Sequence, residues 1–116
     1  MSITELVDEF GRTVEAQNFA IAKSNPKKGN ELARLRAKIF DELRSKGDAG
    51  RDALATLLDD QRSDVRVMAA SYLLRHCGQR AIDVLEQESK KSGIVAFGAQ
   101  QALLRWKDGT WSLDPL

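Results

Sequence analysis

The chain has 116 residues, 42% of them hydrophobic and 30% charged, and its 18 Lys and Arg stand against 17 Asp and Glu. A chain of that size buries about two-thirds of its unfolded surface, and its composition argues against wholesale disorder and against any need for a metal or disulfide to fold. A formal net charge of +1 weighs against a protein built chiefly to neutralise phosphates, which would show a clear basic excess.

Ser2 and Glu5 form a capping box, in which each side chain accepts from the other residue's backbone N–H. Behind it Ile3, Leu6, Val7, Phe10, Val14 and Ile21 keep helical spacing and predict a first helix over residues 3–23. Gly11 costs about 1 kcal/mol relative to alanine mid-helix, and the periodicity on both sides outweighs it. Ser24-Asn25-Pro26 ends this helix, since proline cannot continue one. A second helix is expected from Asn30 to Lys46, with Leu32, Leu35, Ile39, Phe40 and Leu43 inward. Its other face carries Arg34, Arg36, Lys38, Glu42 and Arg44, and Lys27 and Lys28 precede it. This is the most basic part of the chain, read as a solvated face or as one that meets an acidic partner or a phosphate backbone.

Gly47-Asp48-Ala49-Gly50 restarts the chain, with Asp48 expected as N-cap. Four further helices are predicted over residues 49–60, 63–76, 79–91 and 93–106. Ser63 and Asp64 are suited to cap the 63–76 helix. Val65, Met68, Ala69, Tyr72 and Leu73 then form a single stripe, which Ala70 and Leu74 widen. A helix apolar over so much of its circumference must be covered on two sides, as in a stack. Gly78 is placed to terminate it. No run of alternating β-branched residues with a turn dipeptide appears, so no strand is expected.

The second half repeats. Ala53 matches Ala81 and Leu57 matches Leu85 at an offset of 28 residues. Val65 matches Val95, Ala69 matches Ala99, and Leu73-Leu74-Arg75 match Leu103-Leu104-Arg105 at an offset of 30. Two copies of a helix–turn–helix unit account for this, with the extra residues in the turn at Ser92 and Gly93.

Asp64-Val65-Arg66 followed by Ala69-Ala70 and Leu73-Leu74 resembles the second helix of a HEAT-type repeat. The repeat length is shorter than the roughly 40–47 residues of full HEAT units and is similar to the short HEAT-like repeats of phycobilin lyases. The whole chain also resembles a small bacterial family of helical domains of unknown function. The second copy departs from the pattern, with Val95-Ala96 in place of Val65-Arg66. The resemblance implies an all-α, right-handed α-α superhelix of about six helices. It would be organised as one domain over residues 1–116, with a helix pair at 1–46, two HEAT-like repeats at 48–106 and a capping tail at 107–116. Trp111 and Leu113 are expected to fold back over the last helix, because each open end of a stack needs cover.

Sites with their own chemistry are scarce. His76 and Cys77 are adjacent and point about 100° apart on a helix, so they do not make a metal pair, and no CxxC or HxxxH accompanies them. Cys77 reads as a buried free thiol of a reducing compartment. No phosphate-binding glycine loop is present. Asp59, Asp60 and Asp64 make an acidic turn, but Arg62 and Arg66 stand by to neutralise it. The acidic N-terminus and the lack of any run of ~20 apolar residues predict a cytoplasmic protein.

The sequence therefore predicts a non-catalytic protein-binding module of a bacterium, an adaptor or a toxin-immunity-like binder, that uses no cofactor or metal. Arg34, Asp64, Arg66, Arg75, Arg105 and Trp111 are the candidate partner-binding residues. The alternative is nucleic-acid binding along a basic concave face, to which Arg80, Lys90 and Lys91 would contribute. Phe10, Phe19, Phe40 and Tyr72 are assigned to the core.

Overall fold

Ser2 opens α1 (Ile3–Ala22) with the expected reciprocal cap. Its backbone N–H donates to Glu5 Oε1 at 3.0 Å and Glu5 N–H donates to Ser2 Oγ at 3.1 Å. The computed structural model describes residues 1–115, and its residues cluster into two units, Met1–Leu54 and Ala55–Leu116. Among the described residues every regular element is helical: seven α-helices, one 3₁₀ segment and no strand.

In the first unit α1 packs against α2 (Pro26–Ser45) through Leu6, Phe10, Val14, Ile39, Phe40 and Leu43. The three-residue turn between them makes a helical hairpin. The start of α2 lies four residues before the expected Asn30. Pro26 stops the preceding helix yet opens the next one, because the first helical position needs no N–H donor and wants proline's fixed φ. Asn25 caps it, its side chain accepting from Lys28 N–H at 3.2 Å.

The rotation of α2 also differs from the apolar pattern. Leu35, expected inward, is 44% exposed, while Arg36, expected on the solvated face, is 5% exposed. Arg36 Nη1 donates to Gln17 Oε1 on α1 at 2.6 Å, and its Nε is buried without a hydrogen-bond partner. Phe19 is likewise 66% exposed and not in the core, with the Lys23 ammonium 5.5 Å from its ring centroid. Phe19 lies on the last turn of α1, beside the connection that closes the hairpin.

The unit closes with α3 (Asp48–Leu54), in which Asp48 is the first helical residue and not the cap. Gly50 lies against the carbonyl group of Leu43, and a Cβ there would sit 2.7 Å from the carbonyl carbon. Only glycine allows this approach.

The second unit begins with the 3₁₀ segment Ala55–Asp59, followed by α4 (Ser63–Tyr72), α5 (Leu74–Cys77), α6 (Gln79–Ser89) and α7 (Ile94–Asp108). The buried positions are shifted by one residue from the aligned ones, and the shift is already present at the end of α3. Leu54 and Leu58 are buried where the repeat alignment put Ala53 and Leu57, which are half-buried. Ala81 and Leu85 are fully buried as aligned.

Arg62, and neither Ser63 nor Asp64, occupies the N-cap position of α4. Asp64 instead bonds inside the first turn, where its Oδ1 accepts from Val65 N–H at 2.8 Å. The helix is buried nearly all round, at Val65, Val67, Ala69, Ala70, Ser71 and Tyr72, with the 3₁₀ segment, α6 and α7 packed about it. It breaks at Leu73, whose N–H is shared between the carbonyls of Ala69 and Ala70. Leu73 and Leu74 are both fully buried, although successive residues of an unbroken helix point about 100° apart.

Candidate functional site

Arg66 is the centre of one polar cluster. Its Nη1 donates to the carbonyls of Asp60 at 2.7 Å and Gln61 at 3.0 Å, and its Nη2 donates to Ser63 Oγ at 2.8 Å and Glu88 Oε1 at 2.6 Å. Four acceptors from the turn and from α6 thus share one planar fork, a task to which arginine is suited and lysine is not. Lys91 Nζ holds the other oxygen of Glu88 at 2.9 Å. Burial alone would push the Glu88 carboxyl up, but the hydrogen bonds from Lys91 and Arg66 outweigh it and hold the group below its ordinary value.

These side chains border a cleft of about 560 Å³ lined in part by Asp59, Asp60, Gln87 and Glu88. Both oxygens of Glu88 are thus engaged by cations of this chain. Asp64 is occupied too, in a fork with Arg62 at 3.0 and 2.7 Å. Arg80 Nη2 reaches Asp59 at 2.9 Å. The cluster fastens the turn at residues 60–63 to α6.

The second cluster fastens the tail. Thr110 and Trp111 donate their N–H groups to the Arg105 carbonyl, at 3.0 and 3.1 Å, around Gly109 in the left-handed conformation. Trp111 packs edge-on against Trp106 at 5.3 Å between ring centroids, and its Nε1–H donates to the Ser71 carbonyl at 2.7 Å. Arg75 donates from Nε and Nη2 to the Asp114 carbonyl at 3.0 and 2.7 Å, and pairs with its carboxylate at 3.1 Å. Asp114 is fully buried. Trp111 thus ties the tail to Trp106 of α7 and Ser71 of α4, while Leu113, expected to fold back with it, is exposed.

Of the six candidate residues, Asp64 and Arg66 share the first cluster, and Arg75, Arg105 and Trp111 gather around the tail. Arg34 lies exposed on α2 of the first unit. Three of the four in the second unit that carry charge, Asp64, Arg66 and Arg75, are hydrogen-bonded by groups of this chain, and Arg105 is exposed.

A feature the repeat alignment did not anticipate lies on α7. Ala96 and Ala99 are buried, and on the opposite side Ile94, Phe97 and Leu104 are 61%, 57% and 54% exposed. At about 100° per residue these three and Gln101 fall within an arc of about 80°. The alignment matched Leu104 to Leu74, which is fully buried. The difference is positional: Leu74 follows the break at Leu73 and opens α5, inside the second unit, whereas on α7 the tail packs on Trp106 and, among the described residues, leaves this row bare. The spacing of Ile94, Phe97 and Leu104 was visible in the sequence; their exposure was not.

Among the described residues no three His, Cys, Asp or Glu side chains are grouped to hold a metal ion, and no helix is long and apolar enough to cross a membrane. The chain is similar to a solved structure, the crystal structure of the protein RPA1889 from Rhodopseudomonas palustris CGA009. The TM-score is 0.88 at 28% identity, over 97% of this chain and 93% of that one. No family model matches the chain, and no curated protein matches it.

Proposed function

We propose that the protein is a non-catalytic protein-binding module, an adaptor or immunity-type binder of a bacterium, that docks its partner on the outward face of α7. The observation that carries this reading is the row of Ile94, Phe97 and Leu104, three large apolar side chains left more than half exposed on one line of a well-anchored helix. Fully burying a solvated side chain of this size is worth about 1.5–3 kcal/mol, and somewhat over half of that surface is still exposed on each of the three; Phe97 is the aromatic anchor among them. The engagement of Asp64, Arg66 and Arg75 within the chain supports the same reading, because residues that fasten turn and tail cannot also serve as a catalytic set or a phosphate ladder. In this proposal the helix pairs of the second unit are short HEAT-like repeats of a right-handed stack, and α7 is its open end.

The test is affinity capture from a bacterial lysate at moderate salt, with the native chain and a Phe97→Ala, Leu104→Ala double variant as baits. Both replaced side chains are mostly solvated, so the variant should keep its helicity and thermal midpoint. A protein retained by the native bait and lost from the variant is the expected result. Identical retention by both baits would remove α7 from the interface.

The alternative of nucleic-acid binding draws on one observation: residues 90–107 hold four basic residues, Lys90, Lys91, Arg105 and Lys107, and no acidic one. It requires retention of nucleic acid that weakens steeply with salt.

A further inference from the structure

The exposed row of α7 has the spacing of a coiled-coil seam. Ile94, Phe97, Gln101 and Leu104 follow one another at intervals of three, four and three residues, which are the a and d positions of two heptads. Gln101 then stands at an a position, where a polar residue fixes register and partner number. The positions that flank a seam are e and g, and here they are Gly98 and Arg105 on one side and Gln100 and Lys107 on the other. Arg105 and Lys107 are exposed. Lys90, just past α6, is also exposed, beside Lys91, and α7 has Gly93 as its N-cap, with no side-chain cap on its first N–H groups, so this end of the helix is positive as well. One acid lies in line with the row, Asp108, at the far end. Its carboxylate is tied to Thr110 through the hydroxyl at 2.6 Å and the backbone N–H at 3.0 Å, and these bonds hold it below its ordinary value.

Resting on the docking role proposed for α7, we infer that the partner is an acidic amphipathic helix laid along this seam. Its apolar a and d side chains would interlock with Ile94, Phe97 and Leu104, and Glu or Asp at its flanking positions would face Arg105, Lys107 and Lys90. Flanking charges are what select partners in such pairings. They also disfavour a second copy of this chain, which would bring the same basic rim against itself. The row extends over about 15 Å and fits one helix of three or four turns. Two heptads would not sustain a free-standing coiled coil, but α7 is already held by α4 and α6, so only the partner must be ordered on binding.

The experiment is peptide display against the full-length chain at about physiological salt. The library consists of 21-residue helices sharing one Leu/Ile a/d face, with the e and g positions drawn from Glu, Gln and Lys. Enrichment of Glu flanks is the expected result. An enriched peptide, measured by fluorescence anisotropy, should bind the Phe97→Ala variant at least tenfold more weakly, and the Arg105→Glu, Lys107→Glu variant at least tenfold more weakly. A peptide with Lys flanks should gain affinity for that charge-reversed variant. Equal enrichment of Gln or Lys flanks would overturn the acidic partner and leave the docking face standing. Failure to enrich any helix would overturn both. Two control outcomes also refute the inference: sedimentation with phosphatidylglycerol vesicles that Phe97→Ala abolishes, which makes the ligand a lipid surface, and a concentration-dependent dimer that the same change abolishes.

Discussion

Replacing Arg66 by alanine removes four hydrogen bonds at once, to Asp60 O, Gln61 O, Ser63 Oγ and Glu88 Oε1. The side chain of Glu88 is only 5% exposed, and Lys91, itself largely solvated, becomes its one remaining cationic partner of the two. Breaking a buried ion pair from one side costs about 3–5 kcal/mol. The partial exposure of Arg66 and the survival of Lys91 bring the expected loss down to about 2–3 kcal/mol. Both tryptophans belong to the second unit, so urea unfolding followed by their fluorescence reports on the part of the chain that is altered. With a urea slope of about 1–1.5 kcal/mol per molar, the midpoint should fall by roughly 2 M. The gap between native and variant also depends on pH in a definite sense. The folded-state value for Glu88 is lowered from 4.5, so its contribution is complete above about pH 4.5 and is lost as pH falls through the lower folded value. The two unfolding midpoints should therefore converge in acid. A loss below about 0.5 kcal/mol at pH 7, or a gap unchanged at pH 3, would show that the cluster contributes no more than an exposed surface pair.

Three further outcomes follow from particular contacts. Gly50→Ala should cost at least about 3 kcal/mol because its Cβ has no room beside the Leu43 carbonyl, whereas Gly11→Ala, with open space around its Cβ, should gain about 0.5–1 kcal/mol; thermal melts by far-UV circular dichroism separate the two. Arg36→Met keeps the buried stem but removes a charge whose Nε lacks a partner, so the variant should melt at the native temperature or above, and a clear drop would mean that the bond to Gln17 outweighs the burial of the charge. Arg75→Ala withdraws three contacts from the buried Asp114 and should release the tail, which a red shift of tryptophan emission and faster proteolysis near residue 110 would register.

The helical class, the existence and approximate extents of the helices, the capping box and the buried alanines of α4 and α7 were all legible in the residue pattern. These features depend on interactions within a few positions along the chain, where spacing and side-chain type carry most of the information. The misreadings have a common cause. Whether Leu35 or Arg36 turns inward depends on a rotation of α2 by about 100° that its packing on α1 decides. The one-residue slip from Ala53 and Leu57 to Leu54 and Leu58 is likewise a rotation about the helix axis, and neither it nor the break at Leu73 is marked by a local signal.

The candidate site divides in the same way. The charges of Asp64, Arg66 and Arg75 stand out in the sequence, but Glu88 and Asp114 lie 22 and 39 residues beyond their arginines. Only the folded chain shows that those arginines are spent on holding a turn and a tail. The periodicity of Ile94, Phe97 and Leu104 was equally plain and was compatible with a buried stripe. A periodic pattern specifies which side chains share a face of a helix; what lies against that face is decided by tertiary packing, and among the described residues no helix covers this face of α7.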